Sequence, residues 1–320
     1  SDGGGSRCRQ ALKGFLGASA SDQARPLGYG YKELTLPLRA DGRAALATDS
    51  LHIWPRGSHF MMALPNRDGS QTVTLYLPGS GPAPSFAALE KGGEESVREY
   101  FAGHYPDAAP LMPRLLQEFQ QHPVGFLGTV FAGPWVHGDR LALIGDAAHA
   151  ITPFFGQGCN SGFEDVSVLH RLLLRSRSEG RDLAWVLARY YEQRKPDTDA
   201  IAHMALDNFT EMMAKTAEPR FLLEKQLEIV LAQSFPVYAS RYALVTHSLI
   251  PYSLCQRIGV LQQQILSSLS AGISSPDQLD LSAASRLIDT VLKPFLDQHR
   301  ITPDMYHYTS KYYPAPRSRI

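Results

Sequence analysis

The chain has 320 residues, 44% of them hydrophobic and 19% charged, and its 31 basic side chains balance its 31 acidic ones. That length suits about two domains with a sizeable core, and the charge balance argues against the basic stripe of a nucleic-acid binder. Three widely spaced cysteines, Cys8, Cys159 and Cys255, with no C-x-x-C, argue against a disulfide framework or a zinc ribbon and for a reducing compartment.

Residues 1–20 open with the glycine-rich turn Ser1-Asp2-Gly3-Gly4-Gly5-Ser6 and continue as a short helix. From 28 to 80 the apolar period is closer to two. Tyr31–Leu36, His52–Trp54, Phe60–Leu64 and Thr72–Leu77 read as strands, with turns at Pro55–Ser58 and Asn66–Gly69. Such short connections imply an antiparallel sheet. By strand parity Phe60, Met62 and Leu64 share one face, and Thr72, Thr74 and Tyr76 share one face of the neighbouring strand.

Residues 78–92, rich in Pro, Gly, Ser and Ala, read as a loop before a helix at Glu95–Tyr105. Short strands are expected at Gly125–Val130 and Leu141–Ile144. From Gly162 the pattern turns helical, with Phe163, Val166, Leu169, Leu172 and Leu173 on one face. Further helices are expected at Leu183–Arg194, stopped before Pro196, at Thr198–Lys215 and at Arg220–Gln233. Helix then continues with breaks at Pro251 and Pro276, and the tail from Pro303 has no clear pattern. The uncharged stretch Ile258–Pro276 holds Gln262, Gln263 and Gln264 and is too polar to span a membrane. No signal peptide is visible, so a cytoplasmic protein is expected.

The chemistry-bearing segment is Leu141-Ala142-Leu143-Ile144-Gly145-Asp146-Ala147-Ala148-His149, followed by Pro153-Phe154-Phe155-Gly156-Gln157-Gly158-Cys159-Asn160-Ser161-Gly162-Phe163-Glu164-Asp165. An apolar strand ends in Gly-Asp, and a glycine-rich loop leads into a helix. Glycines let a flat ligand approach the backbone. The helix start offers unpaired N–H groups to a ligand with negative charge at one edge. An Asp at a strand's end can accept hydrogen bonds from sugar-like hydroxyls. Gly-Asp alone is equally consistent with a plain strand, turn and capped helix. No H-E-x-x-H, G-x-S-x-G or P-loop is present.

The string resembles the second flavin-binding motif of the class A flavoprotein aromatic hydroxylases, G-D-A-A-H followed by a proline and G-Q-G-x-N. Asp2-Gly3-x-x-Ser6-x-x-Arg9 is similar to that family's D-G-x-x-S-x-x-R segment. Gly30–Leu34, Leu51–Pro55, Ala63–Asn66, the Pro153–Gly158 loop and Arg241-Tyr242-x-x-Val245-Thr246 narrow the resemblance to members that act on L-kynurenine. The resemblance covers residues 1–255.

It implies an α/β (α+β) fold: a partial FAD-binding Rossmann-like domain, an antiparallel substrate-binding sheet and a C-terminal helical region. The expected divisions are 1–27, a remnant of the FAD-binding domain; 28–130, the substrate sheet; 131–195, the returning FAD-binding segment; and 196–320, the helical region. In that family FAD is reduced by NADPH and reacts with O2 to a flavin hydroperoxide that hydroxylates the aromatic ring. No catalytic side chain and no metal are therefore expected.

By the same resemblance Asp146 binds the ribityl chain, and the backbone at Gly158, Cys159 and Asn160 faces the flavin pyrimidine edge. Arg9, Pro153, Gly156 and Gln157 complete the cofactor site. Met62, Leu64 and Tyr76 wall the substrate, and Pro153, Phe154 and Phe155 form the ceiling over the flavin. Asn208 and Tyr242 contact the amino-acid end of L-kynurenine, with Glu211 nearby. Plain readings stand beside these. Met62, Leu64 and Tyr76 also read as core, Asn208 as a satisfied core amide and Glu211 as a surface charge. A buried Asn208 must find a partner or cost about 1–3 kcal/mol. His149 reads as structural rather than as a general base, Trp54 and Trp135 read as core, and Cys159 is not read as redox-active.

The sequence departs from the family in lacking G-x-G-x-x-G, so about 150 upstream residues carrying that dinucleotide fold are expected. It also lacks the C-terminal apolar helix of membrane-anchored members. A homodimer is left open. Two other readings remain: a related flavoprotein hydroxylase with another aromatic substrate, and a non-catalytic remnant.

Overall fold

Ser6 starts the first helix by accepting the Arg9 N–H at 2.9 Å, the usual device for satisfying an orphan donor at a helix start. The structure, a computed structural model, describes residues 1–214 and 218–306. The expected helix end at Lys215 and the tail beyond Tyr306 lie outside the described residues. In chain order the strands are β1 Ser21–Leu36, β2 His52–Pro55, β3 Phe60–Pro65, β4 Gln71–Pro78, β5 Gly125–Gly133, β6 Val136–His137 and β7 Leu141–Ala142. The helices are α1 Arg7–Leu16, α2 Phe86–His104, α3 Leu115–Gln121, α4 Asp146–His149, α5 Gly158–Glu179, α6 Leu183–Ala214, α7 Pro219–Ser234, α8 Arg241–His247, α9 Tyr252–Leu269, α10 Leu281–Leu287 and α11 Lys293–Gln298. The chain divides into two units. The first comprises Ser1–Ala24, Thr129–Phe209 and the described residues after 217, and the second comprises Arg25–Gly128 with a short stretch from Thr210.

The second unit is built on a sheet in the order β2-β3-β4-β1-β5. Its β2–β3, β3–β4 and β4–β1 pairings are antiparallel, as the short turns implied. Leu34, Leu36, Met61, Ala63, Val73, Leu75 and Leu77 point to one side and pack with Phe86, Leu89, Val97, Phe101 and Phe119 of α2 and α3. The alternate residues point to the other side, where Phe60, Met62 and Leu64 stand opposite Tyr76, Thr74 and Thr72.

Helix α2 begins nine residues before the expected Glu95. Ser85 caps it by accepting the Ala88 N–H at 3.2 Å, and the small, Pro-rich run hid that start. Gly93, at φ 70°, bends it inside.

In the first unit one core gathers Leu12, Val130, Trp135, Leu143, Ala147, Val168, Leu172, Val186 and Tyr190. A second gathers Ile201, Met204, Leu227, Leu244, Cys255, Ile265 and Leu292 of the C-terminal helices. Two expectations change here. Helix α5 buries Ser161, Asp165, Val168, Leu172 and Ser176, while Phe163, Val166 and Leu173 are exposed. And α6 runs through Pro196 without stopping. The missing proline N–H costs one backbone hydrogen bond, but side chains on both sides of it are fastened. Arg194 is bonded to Asp165 at 2.8 Å, and Asp197 accepts the Ser253 N–H at 3.0 Å.

The helix breaks at Pro251 and Pro276 fall where expected. No helix among the described residues is long and apolar enough to cross a membrane.

Candidate functional site

Strand β7 pairs with β6 for two residues only, but its continuation is pinned: Leu143 N–H donates to Trp135 O at 2.9 Å, and Tyr190 OH donates to Leu143 O at 3.0 Å. The chain then turns at Gly145, whose φ of 59° and ψ of −146° suit glycine and strain other residues. This turn starts α4 and leaves Asp146 exposed at its first position. Asp146 takes no hydrogen bond or ion pair among the described residues.

The flanks of Asp146 are held tightly. Asp165, fully buried on α5, accepts the Gly145 N–H at 2.8 Å and sits 2.6 Å from His149 Nε2 through the same oxygen. Its other oxygen accepts Arg194 Nε at 2.8 Å. Burial works to raise the Asp165 carboxyl, but the hydrogen bonds from His149, Arg194 and Gly145 hold it below the ordinary carboxylate range. Arg194, itself buried, also reaches Ser161 O and Oγ at 3.2 Å. Its Nη1 lies 2.7 Å from Glu164 Oε2, yet out of line for a hydrogen bond. Trp135 is buried with its ring 5.2 Å from His149, which packs here as a structural group. Trp54 is half-buried and donates to Asp107 at 2.7 Å.

Arg9 grips the same turn from α1. Its guanidinium donates to Ala147 O at 2.8 Å and Gly4 O at 2.6 Å and pairs with Asp22 at 3.1 Å, so its donors are engaged within the protein.

After α4 the chain makes a tight turn over Pro153–Phe155 and passes Gly156 at φ 64° into α5. Pro153 is exposed, whereas Phe154 and Phe155 are buried. Phe154 stacks on Phe209 at 4.7 Å, and Phe155 stacks on Tyr242 at 5.7 Å. Gln157 stands before α5 but its side chain does not cap it. Both ends of that amide are used elsewhere. Nε2 donates to Phe155 O at 3.2 Å, and Oε1 accepts Asn160 Nδ2 at 3.0 Å and Tyr252 OH at 2.9 Å. The first N–H groups of α5, at Gly158, Cys159 and Asn160, are thus left without a side-chain cap. Space beside the loop is open. A Cβ on Gly156 would meet nothing within 4 Å, and one on Gly158 only Ile151 at 3.7 Å.

Asn208, half-buried on α6, donates to Phe154 O at 2.7 Å, the partner its apolar stripe demanded. Glu211 is half-buried three residues further on. Tyr242 is about half exposed at the start of α8. Cys159 is exposed; Cys255 is buried, and burial pushes its thiol up to about 12, so it stays protonated.

On the sheet unit, Met62 is half-buried, Leu64 is 45% exposed and Tyr76 is buried, stacked on Phe60 at 4.4 Å. All three share the face away from that unit's core. Burial pushes the Tyr76 phenol up, so it stays protonated.

The Asp165–Arg194 pair has no place among the site residues expected from sequence. The readable signal was a second stripe on α5, Ser161, Asp165, Val168 and Leu172, at helical spacing.

Residues 1–205 match the family model described as FAD binding domain. The match spans well over half of the chain, and the chain belongs to this family. Within it, the chain is 43% identical over 301 residues to the kynurenine 3-monooxygenase of Myxococcus xanthus, covering 93% of this chain and 62% of that protein. To the kynurenine 3-monooxygenase of Stenotrophomonas maltophilia it is 39% identical over 292 residues, covering 91% and 62%. To that of Dictyostelium discoideum it is 41% identical over 278 residues, covering 83% and 60%. The chain thus spans about three fifths of the length of these relatives. The resemblance read from its motifs holds over most of the chain.

Among solved structures, Klebsiella pneumoniae HpxO complexed with FAD and uric acid matches with a TM-score of 0.52 at 19% identity, over 84% of this chain and 57% of that one. 2-Methyl-3-hydroxypyridine-5-carboxylic acid oxygenase matches with a TM-score of 0.51 at 20% identity, over 70% and 57%. At such identity the likeness shows the fold alone: the mixed α/β architecture with an antiparallel sheet and helical C-terminal region.

Proposed function

We propose that this chain belongs to an FAD-dependent monooxygenase that hydroxylates L-kynurenine to 3-hydroxykynurenine, with NADPH as reductant and O2 as oxygen donor. What carries this reading is the 43% identity to a kynurenine 3-monooxygenase across 93% of the chain.

The residues present fit a flavin. Asp146 offers an exposed carboxylate with no partner among the described residues, and α5 offers uncapped N–H groups beside open space over Gly156. In this reading Asp146 accepts hydrogen bonds from ribityl hydroxyls, and the N–H groups of Gly158, Cys159 and Asn160 donate to the pyrimidine edge. The positive end of α5 favours negative charge there. Bound FAD supplies the redox chemistry that activates O2. Gln157, Arg9 and Gly156 shape the loop and the turn. Pro153, Phe154 and Phe155 exclude water with apolar surface.

For the substrate, the family resemblance suggests Met62, Leu64 and Tyr76 as an apolar wall, and Asn208 and Tyr242, with Glu211, as residues for the amino-acid end. With three free cysteines, a reducing cytoplasmic setting is part of the proposal. A flavoprotein acting on another aromatic is the second reading, less favoured because each of the three relatives compared is a kynurenine 3-monooxygenase.

The test is NADPH oxidation by the whole protein loaded with FAD. L-Kynurenine should stimulate it and yield 3-hydroxykynurenine by mass spectrometry. Stimulation only by other aromatics would replace the substrate, and a protein that stays colourless in excess FAD would remove the flavin.

A further inference from the structure

We propose that Asp165 is a positioning residue for the flavin site: its buried carboxylate fixes both flanks of Asp146, and Arg194 is the counter-charge that lets that carboxylate sit in the interior. This deepens the flavin reading above and rests on it.

Asp165 could stabilise the fold by bonding anywhere on its neighbours. It bonds instead to Gly145 N–H at 2.8 Å, immediately before Asp146, and to His149 Nε2 at 2.6 Å, at the end of the same short turn. Helix α5 comes close enough that a Cβ on Gly162 would lie 3.7 Å from the Gly145 Cα. Between these two fastened points Asp146 is the exposed residue.

A carboxylate on a turn already fixed in place loses little conformational freedom when a ligand hydroxyl binds, and such pre-organisation strengthens binding. A fully buried carboxylate is costly without a counter-ion. Arg194, 1% exposed and 2.8 Å away, provides it.

The decisive measurement is FAD affinity, followed by flavin fluorescence on the apo form of the whole protein. Asp165→Asn keeps the shape and removes the charge; it should weaken FAD binding by about tenfold or more, the loss of a charged hydrogen bond. If Asp165 acts through Asp146, the double variant Asp146→Ala/Asp165→Asn binds FAD no more weakly than Asp146→Ala alone, a non-additivity that a merely structural role would not produce. His149→Gln keeps a side-chain N–H donor and should retain affinity, whereas His149→Phe should lose it.

Wild-type affinity in a folded Asp165→Asn, or additive losses in the double variant, overturns the positioning role while leaving the flavin reading intact. If the wild-type protein itself binds no FAD, the flavin reading falls first and this inference with it.

Discussion

At the Gly145–His149 turn, position is enforced by charged hydrogen bonds in a dry interior; on the outward face of β3 and β4 it is enforced by strand pleat and register. Each unit also buries an ionisable group, and they are treated in opposite ways. Asp165 is kept charged by Arg194, His149 and the Gly145 N–H. His59, 2% exposed at the start of β3, is kept neutral by burial. The contrast separates two kinds of design. A charged network holds a turn to a single geometry and fails sharply when one partner is removed. A pleated face places side chains in a row and tolerates changes in what they are.

Breaking the charged side should cost most. Arg194→Met leaves Asp165 and its bonds without a counter-charge and should destabilise the protein by on the order of 3–5 kcal/mol in urea unfolding; a loss below about 1 kcal/mol would show that the network is dispensable. On the sheet, Leu75→Ala opens a cavity in the core and should cost about 3 kcal/mol. Leu64→Ala, on the opposite face and 45% exposed, should cost under about 1 kcal/mol. Equal costs at the two positions would contradict the assignment of faces.

Asp146→Ala should sharpen the same contrast, because its side chain is exposed and unpaired among the described residues while its flanks are fixed. FAD should be held about tenfold more weakly with little change in melting temperature; a fall in melting temperature with unchanged FAD affinity would make Asp146 structural. Asn208→Ala, which removes the donor to Phe154 O, should raise the KM for L-kynurenine by about three- to tenfold with flavin content unchanged. An unchanged KM would remove Asn208 from the substrate site.

The sequence was most legible where a short-range rule decides. Alternation and the Asn66–Gly69 turn placed the β3–β4 hairpin and the shared face of Met62, Leu64 and Tyr76. The order of residues from Leu141 to Asp165 showed the flavin motif. It was least legible where a distant partner reverses the local preference. Phe163, Val166 and Leu173 made an apolar stripe, yet α5 turned Asp165 inward, because Arg194, 29 positions along the chain, makes a buried carboxylate tolerable. Pro196 read as a stop for the same reason: the contacts of Arg194 and Asp197 that carry α6 through it are tertiary. Helix α2 began early because one capping serine outweighed a run that otherwise reads as loop.

The smallest effect concerns His59 and runs with pH. Burial first, then the neighbouring charges of His104 and Arg56, lower it to about 4. Its ring lies 4.9 Å from His104, its Nδ1 is 3.3 Å from Ser58 Oγ, and its Nε2 is buried with no hydrogen bond among the described residues. The folded chain therefore stays unprotonated at this site down to about 4. The unfolded chain takes up its proton near the ordinary imidazole value of about 6.5. Between those values the unfolded state binds more protons, so stability is present above the upper one and is lost as pH falls towards the lower. From pH 7 to pH 6 the loss from this one group is about 0.7 kcal/mol. His59→Gln should flatten the acid limb of the stability curve by that amount, measured by urea unfolding at the two pH values. Parallel curves for the variant and the wild type would mean that His59 is protonated as readily inside the sheet unit as in water, and that its burial does not hold it neutral.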